Sequence, residues 1–338
     1  MPIFHELPAA EGGVPVKVWT ANLEASAAAQ LRALAGSGLL VGHVAAMPDA
    51  HAARGATVGA VFATRDLLLP SAIGTDSGCG VLAQPLDVRA GDLPPALLRE
   101  LQAQIKWTIP LAHGEQGEAR AWDGLEDAGR YTSAVTRIVR EAGPWQLGTL
   151  GGGNHFLELC REAEGEGAAC VWLLVHSGSR GVGSASAAHH IGIARTLAPR
   201  LGRPSVGDLA PLPLDTQEGQ DYLTDLLWAQ AYAAENRRQL QQAVLNLLAR
   251  LVGRKQPANP WSRAAQPPRA PDRATSPPRA RLRPDGGVRQ RPQLHRMRGA
   301  LRRTAPGPPQ GGGGGPDRRA GDHPRLDGDR FDQCQEVV

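Results

Sequence analysis

Up to about residue 250 the chain mixes short apolar runs with longer helical stripes, and the two do not alternate regularly. Leu39–Ala46 and Ala56–Thr64 are rich in Val, Ala and Leu and bounded by Gly, Pro or Asp, as buried strands are. A third run, Val171–Val175, ends directly on His176. Helices are predicted over Leu23–Leu34, Pro94–Lys106, Tyr131–Glu141, Ser184–Leu201 and Gln220–Leu251. In the last of these Leu223, Leu226, Leu227, Gln230 and Ala234 share one face at helical spacing. Separate helices and short strands without a repeating strand-helix unit point to an α+β fold.

After Gly253 the pattern breaks. Pro and Arg dominate, Ile and Tyr vanish, Lys255 is the only Lys, and Gly311–Gly315 is unbroken glycine. Such a segment cannot bury enough apolar surface to offset its ordering entropy. Residues 1–252 are therefore expected to form a folded part and residues 253–338 a disordered Pro/Arg/Gly-rich tail. One reading of the tail is an arginine-rich arm that touches nucleic acid nonspecifically. The other, favoured here, is the out-of-frame product of a GC-rich gene, because Pro, Arg, Ala and Gly are what GC-rich codons yield in a wrong frame.

Composition narrows the picture further. The 338 residues are 41% hydrophobic, enough for a core, but only 4% aromatic, so Ala and aliphatic side chains must do the filling. The net charge of +4 comes largely from the tail, which weakens it as a sign of a polyanionic partner for the folded part. No apolar run is long enough for a membrane span, and the Met1-Pro-Ile-Phe-His5 start lacks the features of a signal peptide. A soluble, cytoplasmic protein is expected. Cys79, Cys160, Cys170 and Cys334 lie far apart without a CxxC pair, which argues against a disulfide framework and a zinc knuckle.

Three glycine-flanked motifs carry the chemistry. In Asp76-Ser-Gly-Cys79 a turn-forming Ser-Gly lets a carboxylate and a thiol face one cation, a donor pair suited to zinc, manganese or iron. In Gly151-Gly-Gly-Asn154-His155-Phe156-Leu157-Glu158 the glycines can offer backbone N–H groups to a phosphate, Asn154 and Glu158 can read polar edges of a nucleotide, and His155 supplies a metal-binding nitrogen. In His176-Ser177-Gly-Ser179-Arg180-Gly-Val-Gly183 a histidine at a strand end precedes a turn whose Ser177, Ser179 and Arg180 suit phosphate. Taken alone, the first motif reads rather as a structural cysteine beside a turn and the third as a hydrogen-bonded core histidine, and the second is as readily a plain turn. Their coincidence in one chain favours a metal site with phosphate-binding turns. A fourth polar stretch, Met47 to Gly59, holds Asp49, His51 and Arg54, which are either supporting and RNA-phosphate groups or solvated loop residues. His189 and His190 read as surface or capping histidines, and His5, His43 and His113 show no partner pattern.

These motifs, with Val16-Lys-Val-Trp19, Leu147 to His155, Trp228-Ala-Gln230 and Asn236-Arg237, resemble the RtcB family of GTP- and manganese-dependent RNA ligases. The resemblance implies a mixed sheet core with surrounding helices, truncated in this chain. It implies that Asp76, Cys79, His155 and His176 bind a two-manganese (Mn2+) centre with Cys79 bridging, and that Asn154, His155, Phe156, Leu157 and Glu158 contact GTP. Family members place GMP on a histidine, transfer it to an RNA 3′-phosphate, and release it when a 5′-hydroxyl attacks; 2′,3′-cyclic phosphate ends are also expected substrates. The chain departs from the pattern in its second half, where a His-Asn motif and a His-Gly-Ala-Gly-Arg motif should stand and do not. His295 and His323 have the wrong neighbours, so no residue is assigned as the GMP-accepting nucleophile. A noncatalytic, metal-holding RNA-binding protein that uses the arginine tail is the alternative, and a metal-dependent phosphoesterase a weaker third.

Overall fold

Val16 and Val18 are buried while Lys17 between them is not, the period-two signature of a half-buried strand. That strand begins the first of two four-stranded sheets in the computed structural model, which describes residues 3–111, 118–126, 129–162, 169–203, 205–253 and 333–336. All of these fall within one compact unit. The first sheet runs β1 (His5–Leu7), β2 (Val16–Val18), β3 (Leu40–His51), β4 (Val58–Thr64). β2 and β3 are parallel and are joined through helix α1 (Ala25–Ala35), whose Leu31 and Leu34 pack with Val16, Val18, Val44 and Ala46.

β5 (Leu67–Leu68) and the four-residue helix α2 (Pro70–Ile73) lead to the second sheet. Its strands are β6 (Gly80–Arg89), β7 (Phe156–Arg161), β8 (Cys170–Ser177) and β10 (Gln333–Glu336), in the order β10-β7-β8-β6 and antiparallel throughout. Along β8 every second residue is buried: Val171, Leu173, Val175 and Ser177 face the interior. On that side they meet Leu101 and Ile105 of α3 (Pro95–Thr108) and Leu240, Val244 and Leu248 of α7 (Gln217–Val252). Alternation puts His176 on the opposite side from Val175, away from this core. The remaining elements are α4 (Asp123–Glu126), α5 (Thr136–Gln146), α6 (Arg180–Arg200) and β9 (Leu212–Pro213), which pairs with β5.

The 36 residues of α7 are bounded by strong stop signals. The Thr216 hydroxyl accepts from Gly219 N–H at its start, and Gly253 takes the left-handed conformation (φ 68°) at its end. Its buried stripe passes through Tyr222, Leu226, Ala229, Ala233, Asn236, Leu240 and Val244. This is turned away from the predicted face, because counting leucines overlooks small Ala and a buried Asn.

The fold is α+β, and the five predicted helices all exist with shifted ends. Several expectations are corrected. The polar stretch from Met47 to His51 is the second half of β3 rather than a loop, since its backbone pairs with β4 as far as His51 and Val58. β6 and β7, which flank the motifs, are absent from the predicted strands because their polarity is mixed. His190 is 1% exposed, not on the surface: its Nε2 lies 2.7 Å from Asp225 Oδ2, which also accepts from the Thr132 hydroxyl at 2.8 Å. The expected tail, residues 253–338, lies outside the described residues apart from Gly253 and β10, as do His113, His295 and His323. β10 lies in that tail. It sets Cys334 opposite Cys160, and Cys160 is disulfide-bonded, which the cysteine spacing gave no reason to expect.

Candidate metal centre

Sheet register brings the three motifs together. Gly80 is paired with Ser177, Val81 with His176, and Phe156 with the same His176. Cys79 therefore precedes β6, and His155 precedes β7, at the end of the sheet where β8 carries His176. The loop before β6 closes on itself, with Cys79 N–H donating to Asp76 carbonyl at 3.1 Å. Gly78 makes the turn possible twice over: its φ is +78°, and a Cβ there would stand 2.8 Å from Gln230 Cα on α7.

Ligand atoms of Asp76, Cys79 and His155 lie within 4.8 Å of one another. His155 Nε2 is 2.8 Å from Asp76 Oδ2 and 3.4 Å from Cys79 Sγ, and His176 Nε2 reaches the same sulfur at 3.0 Å. The other Asp76 oxygen accepts from Ser179 N–H at 3.1 Å. Carboxylate, thiol and imidazole around one point, with a second imidazole against the sulfur, form a donor set that fits a borderline divalent cation. Cys79 is exposed and the Asp76 side chain 38% exposed, whereas that of His155 is 4% exposed, so the cluster is open on the carboxylate and thiol side.

The electrostatics suit a cation. Burial raises the Asp76 pKa, but its hydrogen bond to His155 and the charges of His155 and Arg180 outweigh that and hold it below the usual carboxylate range. Burial, and then the adjacent Asp76 charge, push the Cys79 thiol up to about 12. Burial and the His155 charge push His176 down, which keeps its ring neutral and able to ligate. A cation bound here would reverse the logic at Cys79 by favouring thiolate.

His155 Nδ1 lies 3.0 Å from Leu150 carbonyl and 2.9 Å from Arg180 Nη1. One nitrogen can serve only one of them. With its proton on Nδ1 the ring donates to Leu150 and frees the Nε2 lone pair for a cation; without it, Nδ1 accepts from Arg180. Arg180 begins α6 with φ 58°, a left-handed backbone that non-glycine residues rarely adopt. Its guanidinium lies over Gly151, where a Cβ would overlap it.

The other motif residues sort differently. Phe156 stacks edge-on against His176 with centroids 5.1 Å apart, Asn154 is exposed in the preceding turn, and Glu158 is half-buried on β7. Leu157 is fully buried in the core, so only its backbone is available to a ligand. Ser177 is fully buried and donates to Leu150 carbonyl at 2.8 Å, while the buried Ser179 hydroxyl lies against Gly183. Neither hydroxyl is turned out toward an anion. Arg54 is exposed on the bend between β3 and β4, and His51 is exposed with Nδ1 2.7 Å from Asp49 carbonyl.

Two residues of the resemblance to which the sequence assigns no role, Asn236 and Arg237, stand behind the site. Fully buried Asn236 accepts from Gly148 N–H at 2.6 Å and donates to Thr149 carbonyl and Ser177 Oγ, each at 3.0 Å. Arg237 Nη1 donates to Gly78 and Ser177 carbonyls, each at 2.7 Å. The sequence signal was a polar residue on the buried stripe of α7.

The sequence model of the family described as "tRNA-splicing ligase RtcB" matches residues 30–130 and 118–263. The chain belongs to the RtcB family. It is 34% identical over 265 residues to RNA-splicing ligase RtcB1 of Escherichia coli (strain ATCC 25922), covering 72% of this chain and 63% of the relative. It is 34% identical over 254 residues to RNA-splicing ligase RtcB of Escherichia coli K12 (69% and 60% of the two chains). With tRNA-splicing ligase RtcB of Thermococcus kodakarensis it shares 27% over 252 residues (62% and 52%). This RtcB chain thus spans less than two thirds of the length of these relatives. Among the described residues no helix is long and apolar enough to cross a membrane.

Proposed function

We propose that the chain supplies the first part of an RNA ligase that joins an RNA 3′-phosphate or 2′,3′-cyclic phosphate to a 5′-hydroxyl, using GTP and manganese and carrying GMP on a histidine. The convergence of Asp76, Cys79 and His155 on one point, with His176 on the same sulfur, is the observation that carries this reading. The names of the relatives, RNA-splicing and tRNA-splicing ligases, support the reaction class and RNA as the substrate.

In this reading Asp76, Cys79, His155 and His176 would hold the cations. Divalent metal offsets phosphate charge and orients the reacting groups in line. Asn154, Phe156 and Glu158 line the guanine-nucleotide side together with His155 and the Leu157 backbone, and Arg180 meets phosphate. Arg54 is assigned to the RNA backbone, and Ser177 and Ser179 contribute through their main chain. Residues 1–252 belong to the ligase domain and residues 253–338 to an out-of-frame tail. The cytoplasm is the compartment assigned in this reading.

Incubating the 338-residue chain with radiolabelled GTP and manganese is expected to give no covalent GMP adduct. Restoring the reading frame after about codon 253 is expected to give one. An adduct on the unrepaired chain would overturn the assignment of a missing nucleophile. No adduct on the repaired chain would overturn the ligase reading.

A further inference from the structure

We infer that Asn236 and Arg237, adjacent on α7, are the positioning residues of the metal centre: together they fix the three motif loops relative to one another. The inference rests on the metal reading of the cluster given above. Three side-chain atoms of these two residues tie the loops to α7. Asn236 Oδ1 holds Gly148 N–H, at the head of the glycine loop. Its Nδ2 holds Thr149 carbonyl and Ser177 Oγ, with Gly178 carbonyl farther off at 3.4 Å. Arg237 Nη1 spans the remaining junction, from Gly78 carbonyl beside Cys79 to Ser177 carbonyl beside His176.

The reach extends to the ligands through short relays. Ser177 Oγ accepts from Asn236 and donates to Leu150 carbonyl, which accepts from His155 when the ring carries its proton on Nδ1, the tautomer that frees Nε2 for a cation. Asn236 therefore acts on His155 through three hydrogen bonds, and Arg237 acts on Cys79 across the Gly78–Cys79 peptide and on His176 through Ser177. Gly78 seats the same loop directly on the helix, where an added Cβ would meet Gln230 Cα at 2.8 Å and Ala233 Cβ at 3.0 Å. Residues 230, 233, 236 and 237 follow one another at turn spacing, so one side of one rigid helix carries every tie.

A general packing role would predict something different. Asn236 is fully buried, and an apolar residue would fill that space without the cost of burying an amide. All four amide contacts of Asn236 go to loop backbone or to Ser177 rather than to a neighbouring helix, which is what a fixture for loops requires. Neither residue touches the cation position, so their substitution should distort the ligand cage without removing a donor.

Cobalt(II), read by its thiolate charge-transfer absorption and titrated into the full-length chain, tests this. Asn236→Ala and Arg237→Ala are expected to weaken cobalt binding by about 10- to 100-fold, the range for groups that orient metal ligands. Arg237→Lys, which keeps a donor, should recover part of the loss. Leu240→Ala, one turn farther along α7 in the core, serves as the control for lost stability and should leave cobalt affinity within about twofold at a temperature where all variants are folded. In the metal-free protein, Asn236→Ala should also speed amide hydrogen exchange at Gly148 relative to Leu240→Ala. Unchanged cobalt affinity in both alanine variants, or a loss matched by Leu240→Ala, overturns the inference while leaving the metal reading intact. Absence of a cobalt–thiolate signal from the unsubstituted chain overturns the metal reading, and the positioning role with it.

Discussion

The β3–β4 pair and the β6–β8–β7 sheet end both carry aspartate and histidine in polar stretches, yet only the second gathers them. Asp49 and His51 lie along one strand, and β3 breaks register with β4 twice, between Val41 and Ala45 and between Ala46 and His51. Their side chains stay exposed, and the His51 ring lies against the backbone carbonyl of Asp49 on its own strand. At the other end Cys79, His155 and His176 sit at the ends of three adjacent strands whose pairing puts Phe156 and Val81 both opposite His176. Donor residues in a sequence become a site when separate strands end in register, not when they are close along the chain.

The sharpest way to break this comparison is to remove one donor from each region. Cys79→Ala is expected to abolish the cobalt–thiolate absorption and to weaken divalent-metal binding beyond the about 100-fold typical of outer groups. His51→Ala is expected to leave both unchanged. Calorimetric titration of the two variants side by side checks it, and equal losses would dissolve the distinction.

A second contrast concerns stability. Leu173 on β8 is 1% exposed between α3 and α7, whereas Val61 on β4 is 59% exposed. Leu173→Ala should cost about 2–5 kcal/mol and Val61→Ala less than about 0.5 kcal/mol, by urea denaturation. Similar costs would mean that the first sheet is covered on a face that is open here.

The smallest effect is in pH. With its thiol at about 12 in the metal-free state, Cys79 loses a proton each time a cation binds through the sulfur at neutral pH. His176 sits below the usual imidazole range and is already neutral, so it releases none. Cobalt affinity should therefore rise as pH rises, by about tenfold per unit above pH ~7, and fall as pH falls. A pH-independent affinity would remove Cys79 from the ligand set.

The helices and the four ligand candidates were legible because periodicity and donor type are local properties. The strands beside the motifs were less so. β7 alternates half-buried Phe156 and Glu158 with buried Leu157, and its Cys160 then breaks the alternation by being buried next to Leu159. Ser177 and Ser179 read as anion binders because hydroxyls after a histidine suit phosphate; tertiary packing turned both inward. Asn236 and Arg237 were noticed as part of a resemblance but carried no role, since hydrogen bonds to backbone some 60 to 160 residues away leave no trace in spacing.

Strand parity in β8 has a consequence for how this centre tolerates change. His176 faces the sulfur and Ser177 faces the core only because the chain reaches them at odd and even steps from Val175. A single-residue insertion or deletion within Cys170–Val175 would exchange them, sending the imidazole into a leucine-lined interior and presenting a hydroxyl to Cys79. β3 already accommodates such slips through its two breaks. Length variation among descendants of this chain should accordingly accumulate around β3 and be purged from β8.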